Sequence, residues 1–137
     1  MNYWQQEIET MPRKNMAKLQ LEKLKQTIHA ASGSPFYAKV FKEHKVTPAS
    51  IRSLEDLKKL PFTTKDDLRK NYPFEMAAIP VRDCVRLHSS SGTTGNPTVV
   101  LHSRKDLDEW ANQVARCMYM VGIRDTDIFQ NTSGYGM

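Results

Sequence analysis

Seven consecutive residues drawn only from serine, glycine and threonine, Ser89-Ser90-Ser91-Gly92-Thr93-Thr94-Gly95, divide two runs of strand character. The first run is Val85-Arg86-Leu87-His88; the second, Thr98-Val99-Val100-Leu101, follows Asn96-Pro97. No helix passes through two glycines and a proline at this spacing, so the segment folds as strand, loop, strand. The loop offers five side-chain hydroxyls, free backbone N–H groups and two glycines that permit positive φ and close approach. These are the ingredients of an anion nest, in which amide dipoles and hydroxyl donors converge on phosphate oxygens. The same composition equally describes a solvated hairpin loop. It is not a Walker A loop, because neither glycine is followed by Lys-Ser or Lys-Thr.

The flanking sequence places this unit in a mixed α/β fold. Ser103-Arg104-Lys105-Asp106 has capping-box spacing and opens a helix. Along it Leu107, Trp110, Ala111, Val114, Cys117, Met118 and Val121 recur at helical intervals. That stripe is expected to be core, and Gly122 is placed to end the helix. Asp127–Asn131 reads as a third strand, completing strand, loop, strand, helix, strand, the start of a sheet with helices packed on it.

Upstream, residues 1–80 read as a helical N-terminal subdomain, with 81–137 as the partial α/β subdomain that carries the loop. Residues 1–12 suggest a short helix stopped by Pro12, with Tyr3 and Trp4 anchoring it to a larger body. Met16, Leu21, Leu24, Ile28 and Ala31 share one face of a helix predicted over 13–31, ended by Gly33 and Pro35. A short helix follows from Pro35, then a turn at Thr47-Pro48. Carboxylates lie three residues after Ser53 and Thr64, the spacing of helix caps. Capping accounts for Asp56, Asp66 and Asp67 better than a metal or acid–base cluster does.

Charge and cysteine content narrow the function. The net charge of +5 is mild and spread along the chain, with no basic block interleaved with aromatics, so nucleic acid is not an expected partner. No apolar run approaches the ~20 residues that span a bilayer, and the N-terminus lacks a signal-peptide apolar region. Cys84 and Cys117 have no metal-type spacing and read as core thiols of a reduced, cytoplasmic protein.

Ser-Ser-Gly-Thr-Thr-Gly-x-Pro-Thr (90–98) resembles the phosphate-binding loop of the adenylate-forming superfamily. Thr98, where most of that superfamily has Lys, is similar to the phenylacetate–CoA ligase branch. Further segments resemble the same branch: Pro35-Phe36-Tyr37, Leu54-Glu55-Asp56-Leu57, Leu60–Arg69, Asn71-Tyr72-Pro73-Phe74, Val85–His88, Ala115-Arg116 and Gly134-Tyr135-Gly136. Asn96 departs from the Lys expected there, so the loop carries less positive charge than is typical.

The resemblance implies an AMP-forming acyl-CoA ligase using ATP, Mg²⁺ and CoA on an aryl or acyl carboxylate; a homodimer is compatible with it. Ser90, Ser91, Gly92, Thr93, Thr94 and Gly95 would surround the β- and γ-phosphates, with Thr93 or Thr94 near Mg²⁺. Tyr135 and Gly136 would line the acid pocket, although Tyr135 also fits a packed strand-end residue. No catalytic residue is assigned within the segment. His88 and His102 are expected to be structural, since an ionised carboxylate needs no general base; Arg86 could face phosphate or an acid in the sheet. Such enzymes carry further segments after Met137, so the chain is expected to be the N-terminal portion of a longer ligase. The alternative is a catalytically incompetent fragment that acts at most as a phosphate-binding or interaction module.

Overall fold

The computed structural model describes residues 3–91 and 95–132. Helix α1 (Gln6–Glu9) is followed by α2 (Arg13–Ala31) and α3 (Pro35–Glu43). Short 3-10 turns at Pro48–Ser50 and Leu54–Lys59 lead to α4 (Lys65–Lys70), and a third at Val81–Asp83 leads to β1 (Arg86–Ser89). After the loop, β2 (Val99–His102) returns and α5 (Arg104–Met120) follows. The mixed α/β class holds. Both strands start one residue later than the sequence suggested.

α2 spans the predicted residues because its apolar positions lie on one face. Ile28 is buried there with Phe41, Val46 and Ile51, and Leu21, Leu24, Ala31, Tyr37 and Leu60 pack around them. The α2–α3 junction is close-fitting: a Cβ at Gly33 would lie 2.7 Å from the Ala78 carbonyl oxygen. Beside it, the fully buried Ser34 caps α3, accepting from the Tyr37 N–H (3.4 Å) while its hydroxyl donates to the Glu75 carbonyl (3.0 Å). One side chain thereby satisfies an orphan helix amide and pins the 71–79 segment to the helical body.

The predicted capping boxes at Ser53/Asp56, Thr64/Asp67 and Ser103/Asp106 are all present, with a fourth at Thr47/Ser50. A hydrogen bond from Lys59, above all, holds the Asp56 carboxyl below the usual carboxylate range; the Thr64 and Ser103 hydroxyls do the same for Asp67 and Asp106. All three release a proton more readily folded than unfolded. Their stabilisation is therefore complete above the ordinary carboxylate range, at pH ~4. It is lost as pH falls from there through the lower folded values. Changing all three to Asn is expected to flatten the acid limb of a stability–pH curve below pH ~4, as read by urea midpoints across that range.

The N-terminal segment is tied to α5. Trp4 Nε1 donates to Asn112 Oδ1 at 2.7 Å and its ring lies 5.9 Å from Tyr119. Arg116 pairs with Glu9 at 3.7 Å and donates to the Gln5 side chain. The anchoring expected of Trp4 is thus found, directed at α5.

Three expectations are corrected. Residues 127–131 form no strand: a turn bonds the Asp127 N–H to the Arg124 carbonyl, and Ile128 and Phe129 lie exposed with no strand among the described residues paired to them. A strand is a non-local object, and its own residues cannot supply its ladder. The α5 stripe is not core either, since Trp110 is 46 % exposed and Val114 and Val121 are also exposed. Cys117 is accordingly exposed, and Cys84 is half-buried with its thiol 3.7 Å from the Pro80 carbonyl. Gly122 does end α5, at φ +101°, with Ile123 N–H on Met118 O and Gly122 N–H on Tyr119 O, a Schellman arrangement.

Candidate phosphate-binding loop

β1 and β2 pair antiparallel, with Arg86 opposite His102, Leu87 opposite Leu101, His88 opposite Val100 and Ser89 opposite Val99. Alternation puts Arg86, His88, Val100 and His102 on one face of the hairpin. On that face the His88 and His102 rings lie 5.0 Å apart, and Trp110 of α5 lies 5.5 Å from each. The two histidines are thus packing partners in a three-ring cluster, as their structural reading expected. Trp110, assigned to a buried stripe, instead joins the helix to the strands beside the loop. The Ser103 cap turns the chain straight from β2 into α5, so the helix begins against the sheet it has just left.

Beyond Ser89, one further pair closes the loop. The Ser90 N–H donates to the Thr98 carbonyl at 3.0 Å, and the Thr98 N–H donates to the Ser90 hydroxyl oxygen at 2.9 Å. The Ser90 carbonyl accepts from the Ser89 hydroxyl at 2.9 Å. Thr98, read from the sequence as the start of the second strand and the residue standing where Lys is common, is therefore half of the loop's closure. Ser91 and Gly95 are exposed; Gly95 sits at φ +125°, where a side chain would be strained although a Cβ would meet no atom of the described residues within 4 Å.

Gly92, Thr93 and Thr94, at the loop's centre, and Tyr135 and Gly136, assigned to an acid pocket, lie outside the described residues. Among the described residues there is no cluster of three or more metal-ligating His, Cys, Asp or Glu side chains. A cleft of about 730 Å³ opens on the far side of the hairpin, between Val99 and Leu101 of β2, Ala30 of α2, and Met76 and Ile79. No helix among the described residues is long and apolar enough to cross a membrane.

Paired strands and a bracing helix flank a glycine- and hydroxyl-rich segment whose composition makes it the candidate anion loop. The fold is that of an acyl-CoA ligase. A solved 2-hydroxyisobutyryl-CoA ligase, in complex with 2-HIB-AMP and CoA in the thioesterification state, matches with a TM-score of 0.83 at 36% identity, over 91% of this chain and 28% of that one. Within that class, the sequence is similar to part of the phenylacetate–CoA ligases. It is 43% identical over 135 residues to the Thermus thermophilus phenylacetate–coenzyme A ligase and 45% identical over 131 residues to that of Escherichia coli K12. The Aromatoleum evansii ligase is 47% identical over 131 residues. These alignments cover 98%, 95% and 95% of this chain but 30% of each relative, so the chain spans just under a third of their length. No family model matches it.

Proposed function

We propose that this chain is the N-terminal, triphosphate-holding part of an AMP-forming ligase that joins phenylacetate or a related aryl acid to CoA. In the whole enzyme a carboxylate oxygen bonds to the α-phosphorus of ATP as the bond to the β-phosphate oxygen breaks, releasing pyrophosphate. The CoA thiolate then bonds to the acyl carbon of the acyl-AMP and AMP leaves. In-line transfer of this kind depends on positioning and charge stabilisation more than on covalent help from the protein.

Ser90, Ser91, Gly92, Thr93, Thr94 and Gly95 would hold the β- and γ-phosphates, and Tyr135 and Gly136 would border the acid. The carrying observation is the loop frame: exposed Ser90 and Ser91 hydroxyls and a positive-φ Gly95 at the mouth of a closed hairpin. Hydrogen bonds to charged groups contribute ~1.5–3 kcal/mol each, so a few suffice to hold a triphosphate. A Mg²⁺ ion would sit against the phosphates with Thr93 or Thr94 beside it. Magnesium would neutralise phosphate charge that the Lys-poor loop cannot. The division at residue 80 separates scaffold from loop-bearing part, and a cytoplasmic setting suits an enzyme that consumes ATP and CoA.

A second reading, phosphate binding without turnover, draws support from the half-exposed sheet and α5 stripe, which leave the site short of walls. Phenylacetate-dependent exchange of labelled pyrophosphate into ATP separates the two. The 137-residue chain is expected to show none, and the same chain joined to the remaining length of its T. thermophilus relative is expected to show exchange. An inactive joined protein that still binds ATP would favour the second reading.

A further inference from the structure

We infer that Ser90 is a positioning residue whose hydroxyl latches the loop shut before any ligand arrives. This rests on the triphosphate reading above for its purpose, though not for its geometry. One step beyond the Ser89–Val99 pair, the register puts Ser90 opposite Thr98. In an antiparallel ladder such a pair exchanges two backbone bonds, each N–H donating to the other residue's carbonyl. Here only half of that exchange is made by backbone: the Ser90 N–H reaches the Thr98 carbonyl at 3.0 Å. The returning Thr98 N–H goes to the Ser90 hydroxyl oxygen instead, at 2.9 Å. The Ser90 carbonyl, released from the ladder, accepts a hydrogen bond from the Ser89 hydroxyl at 2.9 Å.

Two consequences follow. The hydroxyl substitutes for a carbonyl, so the Ser90–Ser91 peptide leaves the ladder at that point. A serine hydroxyl that accepts one hydrogen bond also keeps its own proton to donate, so Ser90 can latch Thr98 and still offer an O–H to an anion. Ordering the loop in advance removes part of the entropy cost of binding. Alanine would leave the Thr98 N–H without its acceptor. Threonine keeps the hydroxyl and suits the end of a strand.

The test compares wild type, Ser90→Ala and Ser90→Thr in the 137-residue chain by amide exchange at Thr98, with Val100 as an in-ladder control, and by ATP affinity with Mg²⁺. Ser90→Ala is expected to speed Thr98 exchange about 3- to 10-fold relative to Val100, the value of one ordinary hydrogen bond. It should weaken ATP at least as much, and Ser90→Thr should restore both. Unchanged Thr98 exchange in Ser90→Ala overturns the latch, and if ATP alone weakens, Ser90 is only a direct phosphate contact. Failure of Ser90→Thr to rescue also overturns it. If no form binds ATP while Thr98 exchange still follows the hydroxyl, the latch stands and the triphosphate reading falls.

Discussion

Replacing Ile51 by alanine is expected to lower stability by about 2–5 kcal/mol, the range for emptying a fully buried aliphatic site. Ile51 is 0 % exposed and sits in a core whose other buried hydrophobic members are Ile28, Phe41 and Val46. With so few buried side chains, neighbours can collapse into the space only by giving up contacts of their own. A domain of this size has roughly 5–15 kcal/mol in all, so the loss is a large fraction of the total. The midpoint in urea should fall with little change in slope. Leu57→Ala, six residues on and 56 % exposed, should change stability by no more than ~0.5 kcal/mol. Equal effects at the two positions would mean that the helical body is not held by this core.

The second large effect is expected at Gly95. Its φ of +125° lies where side chains are strained, yet a Cβ there would touch no atom of the described residues within 4 Å. Gly95→Val therefore acts through the backbone alone. A non-glycine residue held in such a conformation costs of order 1–3 kcal/mol, and an exposed loop avoids that cost by changing shape. The loss should therefore appear in ligand binding, as a fall in ATP affinity of about tenfold or more, with the melting temperature nearly unmoved. Gly122 supplies the opposite control. It also has positive φ, +101°, but ends α5, so Gly122→Val should lower stability and spare ATP affinity. If Gly95→Val binds ATP as wild type does, the loop's conformation is irrelevant to the nucleotide.

Local features of this fold could be read from the chain, and features needing a distant partner could not. Helix α2 was legible end to end because its periodicity, Gly33 and Pro35 are all written within the segment. The boxes at Ser53, Thr64 and Ser103 were legible because a cap and its carboxylate are three residues apart. The supposed strand at 127–131 has suitable residues but pairs with no strand among the described residues, a fact that lies elsewhere in the fold. The α5 stripe is likewise amphipathic by sequence, but amphipathicity states which face seeks cover and not whether cover is present. In the site, the hydroxyl-rich bend and its strands stood out by composition. The Ser90–Thr98 exchange did not, because it depends on a register that only the paired strands define. The His88–His102–Trp110 cluster was hidden for the same reason: its members are neighbours across a ladder and a layer.

The central claim, that the bend between β1 and β2 grips the phosphates of ATP, is tested most directly by following backbone amide signals as the chain is titrated with ATP and Mg²⁺, with adenosine as the comparison. The account predicts saturable shifts centred on the amides of residues 90–98, produced by ATP and absent with adenosine. Saturable shifts centred elsewhere, or equal responses to the two compounds, would contradict it.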